Sequence, residues 1–231
     1  MNGPVWPGAA SGLATSATVA ALPHELPDAG RRTCLRLGLA AAAACTGGWT
    51  GAAQAGAQAE EPLANAVRLA LRAAIDASAP PEPEFASTEA RLAYLRWLGR
   101  MSPRLQARKP ELQTRVDFLQ TVWYESKRAG LDTSLVLGLI QVESAFRKFA
   151  VSVAGARGYM QIMPFWARTI GDGDVGKLFH LQTNIRFGCV ILRHYLDRER
   201  GDLFLALGRY NGSRGRASYP NAVLAAQQRW A

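Results

Sequence analysis

The 231-residue chain is 48% hydrophobic and 19% charged, enough apolar material for one ordinary domain plus extras but too short for two large ones. Its formal charge is +9, and residues 60–231 alone carry 24 basic against 16 acidic residues. The basicity therefore belongs to the folded part and predicts a polyanionic partner without naming it. Of three cysteines only Cys189 lies beyond residue 59, which excludes a disulfide framework there; His180 and His194 are too few and too far apart for a metal ligand set.

Residues 1–30 are rich in Ala, Gly, Pro and Ser with no sustained period, and read as a disordered extension. Arg31-Arg32-Thr33-Cys34-Leu35-Arg36 then precedes a small, apolar stretch over residues 37–45, the layout of a twin-arginine export signal. Ala57-Gln58-Ala59 supplies small residues for peptidase cleavage, giving a mature chain near Glu60. Ala42-Ala43-Ala44-Cys45 also resembles a weak lipoprotein box, so membrane attachment through a lipidated Cys45 is the alternative. The stretch is too short for a membrane span, which needs ~20 apolar residues.

Leu63, Val67, Leu71, Ala74 and Ile75 fall at helical spacing, and Pro80-Pro81-Glu82-Pro83 marks a linker behind them. Ser87 or Thr88 can cap a second helix carrying Leu92, Leu95, Trp97 and Leu98. Pro110 suits the start of a third, with a stripe of Leu112, Val116, Leu119 and Trp123 that ends at Gly130. Asp132 or Thr133 caps a fourth, expected to run to about Lys148. A Gly-rich segment over residues 155–158 leads into Tyr159-Met160-Gln161, and helices follow near 183–198, 203–207 and 219–230. Strand-like alternation is almost absent, so the fold class is mostly α. The expected domains are 1–59 (extension and export signal), 60–107 (N-terminal helices and linker) and 108–231 (catalytic).

On a helical wheel of residues 134–147, Leu135, Val136, Leu139, Ile140, Val142 and Phe146 share one broad arc, and Glu143 falls inside it. A carboxylate on a buried face is penalised when charged, so its pKa rises and it holds a proton near neutral pH. Such an acid suits protonation of a leaving oxygen in glycoside cleavage, although a core glutamate bridging helices has the same signature. Between Thr133 and Gly171 there is no other Asp or Glu. Ordinary glycosidases pair two carboxylates, so a lone one suggests that the substrate supplies the nucleophile, unless Asp197 or Asp202 folds back.

Glu143-Ser144, Ala150-Val151-Ser152, Gly155-Ala156, Gly158-Tyr159-Met160-Gln161-Ile162-Met163-Pro164, the run 184–188 and Tyr210-Asn211 resemble, in this order, the soluble lytic transglycosylases, helical relatives of goose-type lysozyme. The resemblance covers about residues 110–231 and implies a lysozyme-like helical domain that cleaves peptidoglycan glycan strands without a cofactor. It implies that Glu143 is the sole acid/base and that the product carries 1,6-anhydro-N-acetylmuramic acid ends. Ser144, Ser152 and Gln161 would line the sugar site, Met160 and Met163 shape its wall, and Tyr210, with Asn211 in the same motif, orient Glu143. Tyr159 stands where the family has Leu, adding an aromatic surface for sugar; Arg209 replaces a small residue. A periplasmic location follows, or an outer-membrane lipoprotein. The rival readings are a hydrolytic muramidase on the same fold and a non-catalytic wall-binding scaffold. Nucleic acid is not an expected partner, because no motif for it accompanies the charge.

Overall fold

Helical periodicity governs the chain, and the computed structural model describes residues 65, 68, 69, 71, 72, 83–170 and 173–231, without the side chains of 169 and 170. The export signal, Cys34, Cys45, the cleavage site at 57–59 and residues 80–82 of the linker lie outside the described residues, as does most of the first expected helix. What is described of that helix is helical, and Leu71 is fully buried in the core.

Seven helices follow: α1 (Thr88–Leu105), α2 (Leu112–Arg128), α3 (Thr133–Ser144), α4 (Pro164–Ile170), α5 (Leu181–Arg198), α6 (Leu203–Asn211) and α7 (Ser218–Gln228), with a 3-10 turn at Val175–Phe179. The described residues contain no strand, only isolated bridges from Arg157 to Val151 and Ile162. The mostly α class is as the sequence implies.

The helix ends follow local chemistry. Ser87 Oγ accepts from the amide of Ala90, Asp132 Oδ1 from Ser134 and Asp202 Oδ1 from Leu205, each satisfying a donor that its helix leaves unpaired. Gly130, at φ 63°, closes α2 as the amide of Leu131 reaches the carbonyl of Ser126 at 2.8 Å.

Two expected faces are rotated from those observed. In α1 the buried positions are Tyr94, Met101 and Leu105, while Leu92 and Leu95 are exposed. Tyr94 packs beside Phe85, Trp97 and Trp123, so an aromatic cluster sets the face that α1 turns toward α2. In α2 the buried face runs through Arg115, Phe118, Leu119, Val122 and Glu125, leaving Leu112 exposed. It does so because a charged pair is buried within it: Arg186 Nε of α5 donates to Glu125 Oε1 at 2.9 Å.

Every residue of α3 from 133 to 140 is buried, as befits a helix enclosed by others. Its tightest neighbour is α7. A Cβ on Gly138 would stand 2.6 Å from the backbone nitrogen of Gln227, so only glycine permits this approach. The helix stops at Ser144 and not near Lys148, because Ala145 and Phe146 both turn left-handed, at φ 50° and 65°.

Candidate active site

Glu143 sits in the last turn of α3 with 7% of its surface exposed. Burial raises its carboxyl pKa to about 8, against the opposing pull of a hydrogen bond from Tyr219. That phenol, at the start of α7, donates to Glu143 Oε1 at 2.5 Å. Oε2 is buried without a hydrogen-bond partner. Glu143 thus presents a neutral, proton-bearing carboxyl with one oxygen clamped and the other unengaged.

The segment beyond α3 is bent back hard. Two consecutive left-handed residues, neither of them glycine, are disfavoured by about 1–2 kcal/mol each, so the surrounding packing must hold them. Phe146 does this by burying its ring edge-on against Phe118 and Trp230. Arg147 Nε donates to the carbonyl of Ser144 and caps the helix end.

The turn that follows is tied by its own polar groups. Ser152 Oγ accepts from the amide of Ala156, and Gln161 Nε2 donates to the carbonyls of Ala150 and Gly158. Asn184 of α5 takes the amide of Met160 on Oδ1 and donates through Nδ2 to the carbonyls of Arg157 and Leu178. A Cβ on Gly188, one turn further along α5, would fall 2.3 Å from Met160 Sδ, so this glycine makes room for the buried methionine.

Several expected roles change in this geometry. Tyr210 is buried, but its hydroxyl donates to the carbonyl of Met160 at 2.8 Å; the hydroxyl on Glu143 is that of Tyr219. Tyr159 offers no open face to a sugar. It is buried, tilted against Phe118, with its oxygen accepting from Lys109 at 2.8 Å. Ser144 is buried and its hydroxyl donates back to Ile140, and Met160 is wholly enclosed. Met163 is half-buried, packed on the core, and Ser152 is half-buried too. Asn211 is buried, donates to Ser213 Oγ and keeps Oδ1 without a partner. Asp197 is exposed and paired with Arg193, and Asp202 is occupied in capping α6. The sequence reading missed Tyr219, 76 residues from Glu143 along the chain, and no local signal marks it.

The sequence profile described as "Transglycosylase SLT domain" matches residues 120–228. Residues 120–228 are a transglycosylase SLT domain. The span holds Glu143, the 150–164 turn, Asn184, Tyr210 and Tyr219, and leaves α1 and residues 106–119 outside. A transglycosylase of Enterobacteria phage PRD1 is 36% identical over 112 residues, 46% of this chain and 41% of the phage protein. Membrane-bound lytic murein transglycosylase C of Haemophilus influenzae is 42% identical over 113 residues, 42% of this chain and 32% of that one. The counterpart from Glaesserella parasuis is 52% identical over 54 residues, 23% of this chain and 14% of its own. The chain therefore spans less than half the length of these relatives. A solved structure, an inactive mutant of the lytic transglycosylase Slt from Pseudomonas aeruginosa, is similar over 61% of this chain and 29% of that one, with 24% identity and a TM-score of 0.45.

Proposed function

We propose that the SLT domain cleaves the β-1,4 bond between N-acetylmuramic acid and N-acetylglucosamine in peptidoglycan, leaving 1,6-anhydro-muramic ends. The observation that carries this reading is Glu143: a buried carboxyl that keeps its proton to about pH 8, clamped on one oxygen by Tyr219 and unengaged on the other. Oε2 is the oxygen suited to deliver that proton, since a hydroxyl already occupies Oε1.

In the first half of the reaction Glu143 protonates the glycosidic oxygen as its bond to C1 of the muramic acid breaks. The carboxylate that results sits in a desolvated site and is a stronger base than one in water. It then takes the proton from the C6 hydroxyl of the same sugar as that oxygen bonds to C1. The proton count closes, no water is consumed, and Glu143 returns to its protonated form. The hydroxyl of Tyr219 holds the carboxyl in one orientation through both halves and stabilises its brief negative charge. A second carboxylate is not needed, and the engagements of Asp197 and Asp202 elsewhere support a single acid/base.

The proposed substrate lies outside the cytoplasmic membrane, consistent with the twin-arginine-like residues 31–36 and with lipid attachment at Cys45 as the alternative. Among the described residues no helix is long and apolar enough to cross a membrane.

Mass spectrometry of digested peptidoglycan tests the reading. Anhydro ends from the wild type and none from Glu143→Gln are expected. Reducing ends alone would make the protein a hydrolytic muramidase. Identical products from wild type and variant would leave a wall-binding scaffold.

A further inference from the structure

Trp230 stands outside both the matched SLT span, which ends at residue 228, and α7, which ends at Gln228. The chain leaves that helix in a tight turn, the amides of Arg229 and Trp230 reaching the carbonyls of Ala226 and Gln227 at 3.1 and 2.8 Å. Only 7% of Trp230 is exposed. A buried indole needs a partner for its N–H, and Nε1 donates to the side-chain Oε1 of Gln141 at 2.8 Å. The ring itself meets Phe146 edge-on, with 5.3 Å between centroids. From α1, the guanidinium of Arg104 lies 6.0 Å from the indole centroid, within cation–π range.

The contacts to Gln141 and Phe146 fall on either side of Glu143. Gln141 precedes it in the last turn of α3, and Phe146 follows it in the left-handed turn beyond. Neither part is rigid by itself. The end of a helix keeps carbonyls that no residue of the helix can satisfy, and α3 is followed at once by two non-glycine residues at positive φ. The carboxyl has one hydrogen bond, from Tyr219 to Oε1, and Oε2 has none. The direction of Oε2 therefore depends on the backbone beneath it, and a single indole engages a side chain from each flank of that backbone.

We propose that Trp230 is a positioning residue for Glu143: through Gln141 and Phe146 it locks the end of α3 and the turn beyond it into one piece. The inference rests on Glu143 being the acid of the proposed cleavage, and it assigns the support that keeps Oε2 aimed. Filling of the core alone does not account for the bond to Gln141, because that side chain is half-buried and could take a water instead. A phenyl ring would fill the same space without the N–H. A shift of about 1 Å at a reacting group can cost about 10²-fold in rate, so slack too small to unfold the protein is enough to slow it. The working unit then reaches past both ends of the SLT span, to Trp230 on one side and through Arg104 to α1 on the other.

The test uses the full chain with Trp230→Phe and with Gln141→Leu, which remove one hydrogen bond from opposite ends and keep an aromatic ring beside Phe146. On purified sacculi, at a temperature where melts show every variant folded, kcat is expected to fall about tenfold or more, with KM changed by less than about twofold. The double variant should be no slower than the slower single, since both act through the same bond. A carboxyl freed to meet water loses part of the burial that raises its pKa, so the alkaline limb of the kcat profile should move to lower pH. Loss of the Tyr219 hydrogen bond would move it the other way. A merely structural tryptophan would lower the melting temperature and leave the kcat of folded protein and its pH limb unchanged, and that result overturns the proposal. So does a double variant slowed by the product of the two singles. Carbon NMR titration of the Glu143 carboxyl reads the same downward shift without turnover. Should the wild type cut no glycan, the cleavage reading fails, while the NMR titration still decides the role of Trp230: a lowered value in both variants supports it and an unchanged one overturns it.

Discussion

The hydroxyl of Tyr219 and the Oε1 atom of Glu143 meet at 2.5 Å, joining the first turn of α7 to the last turn of α3. Two helices distant in sequence thereby fix one carboxyl. The expected consequences concern rate, protonation and packing in turn.

Tyr219→Phe releases Oε1. Because the lost hydrogen bond had been lowering the Glu143 pKa, that pKa rises, and the alkaline limb of the activity profile moves to higher pH. The turnover rate falls about 10- to 100-fold, the range for a hydrogen bond to a charged group, with little change in KM. A pH profile of kcat on purified sacculi reads both effects.

In the proposed mechanism Glu143 must be protonated, so wild-type activity is expected to decline as pH rises through about 8. Glu143→Gln lowers activity by about 10²- to 10⁴-fold. Stability gives a second readout. Unfolded, Glu143 loses its proton at an ordinary carboxylate value; folded, it keeps the proton to about 8. Between those values the folded state alone binds the proton, so its contribution to stability falls as pH rises and levels off beyond about 8. The melting temperature of Glu143→Gln should gain on that of the wild type across this window. Calorimetric scans from pH 5 to 9 check the trend.

Gly138→Ala drives a methyl group to 2.6 Å from the Gln227 backbone, which has no flexible side chain to yield. A loss of about 1–3 kcal/mol is expected from overpacking, with α7 displaced. The displacement carries Tyr219 away from Glu143, so specific activity of the folded fraction should fall as well. Urea melts and activity per folded molecule separate the two.

Glu125→Ala removes a buried carboxylate that accepts from Arg186 and Gln182 and lies 3.7 Å from Arg128. Breaking a buried pair from one side is expected to lower stability by about 3–5 kcal/mol. The position of the proposed acid is untouched, so an anhydro product should still form at temperatures where the variant stays folded. Chemical denaturation measures the first and product analysis the second.

The sequence disclosed what is local. Ser87, Asp132 and Gly130 announce their helix ends through capping chemistry, and Glu143 shows itself as an acid on an apolar face. Contacts made at long range were hidden. Leu92 and Leu95 look like core and are exposed, because the aromatic cluster around Tyr94 turns α1 another way. Nothing near Ala145 signals the end of α3; its left-handed turn depends on where Phe146 finds its pocket. Tyr210 and Tyr219 are both buried tyrosines in helices, and only the approach of α7 at Gly138 brings the second to the carboxyl. Tyr159 reads as an aromatic available for sugar until Lys109, 50 residues earlier, is seen donating to it.

The separation of Glu143 from Tyr219 also bears on the order in which the protein is made. Glu143 emerges from the ribosome 76 residues ahead of the hydroxyl that holds it. A part-synthesised chain therefore owns the acid but lacks its clamp. By drawing one half of the pair from a helix late in the sequence, the fold leaves the carboxyl of Glu143 unclamped until α7 has docked against α3.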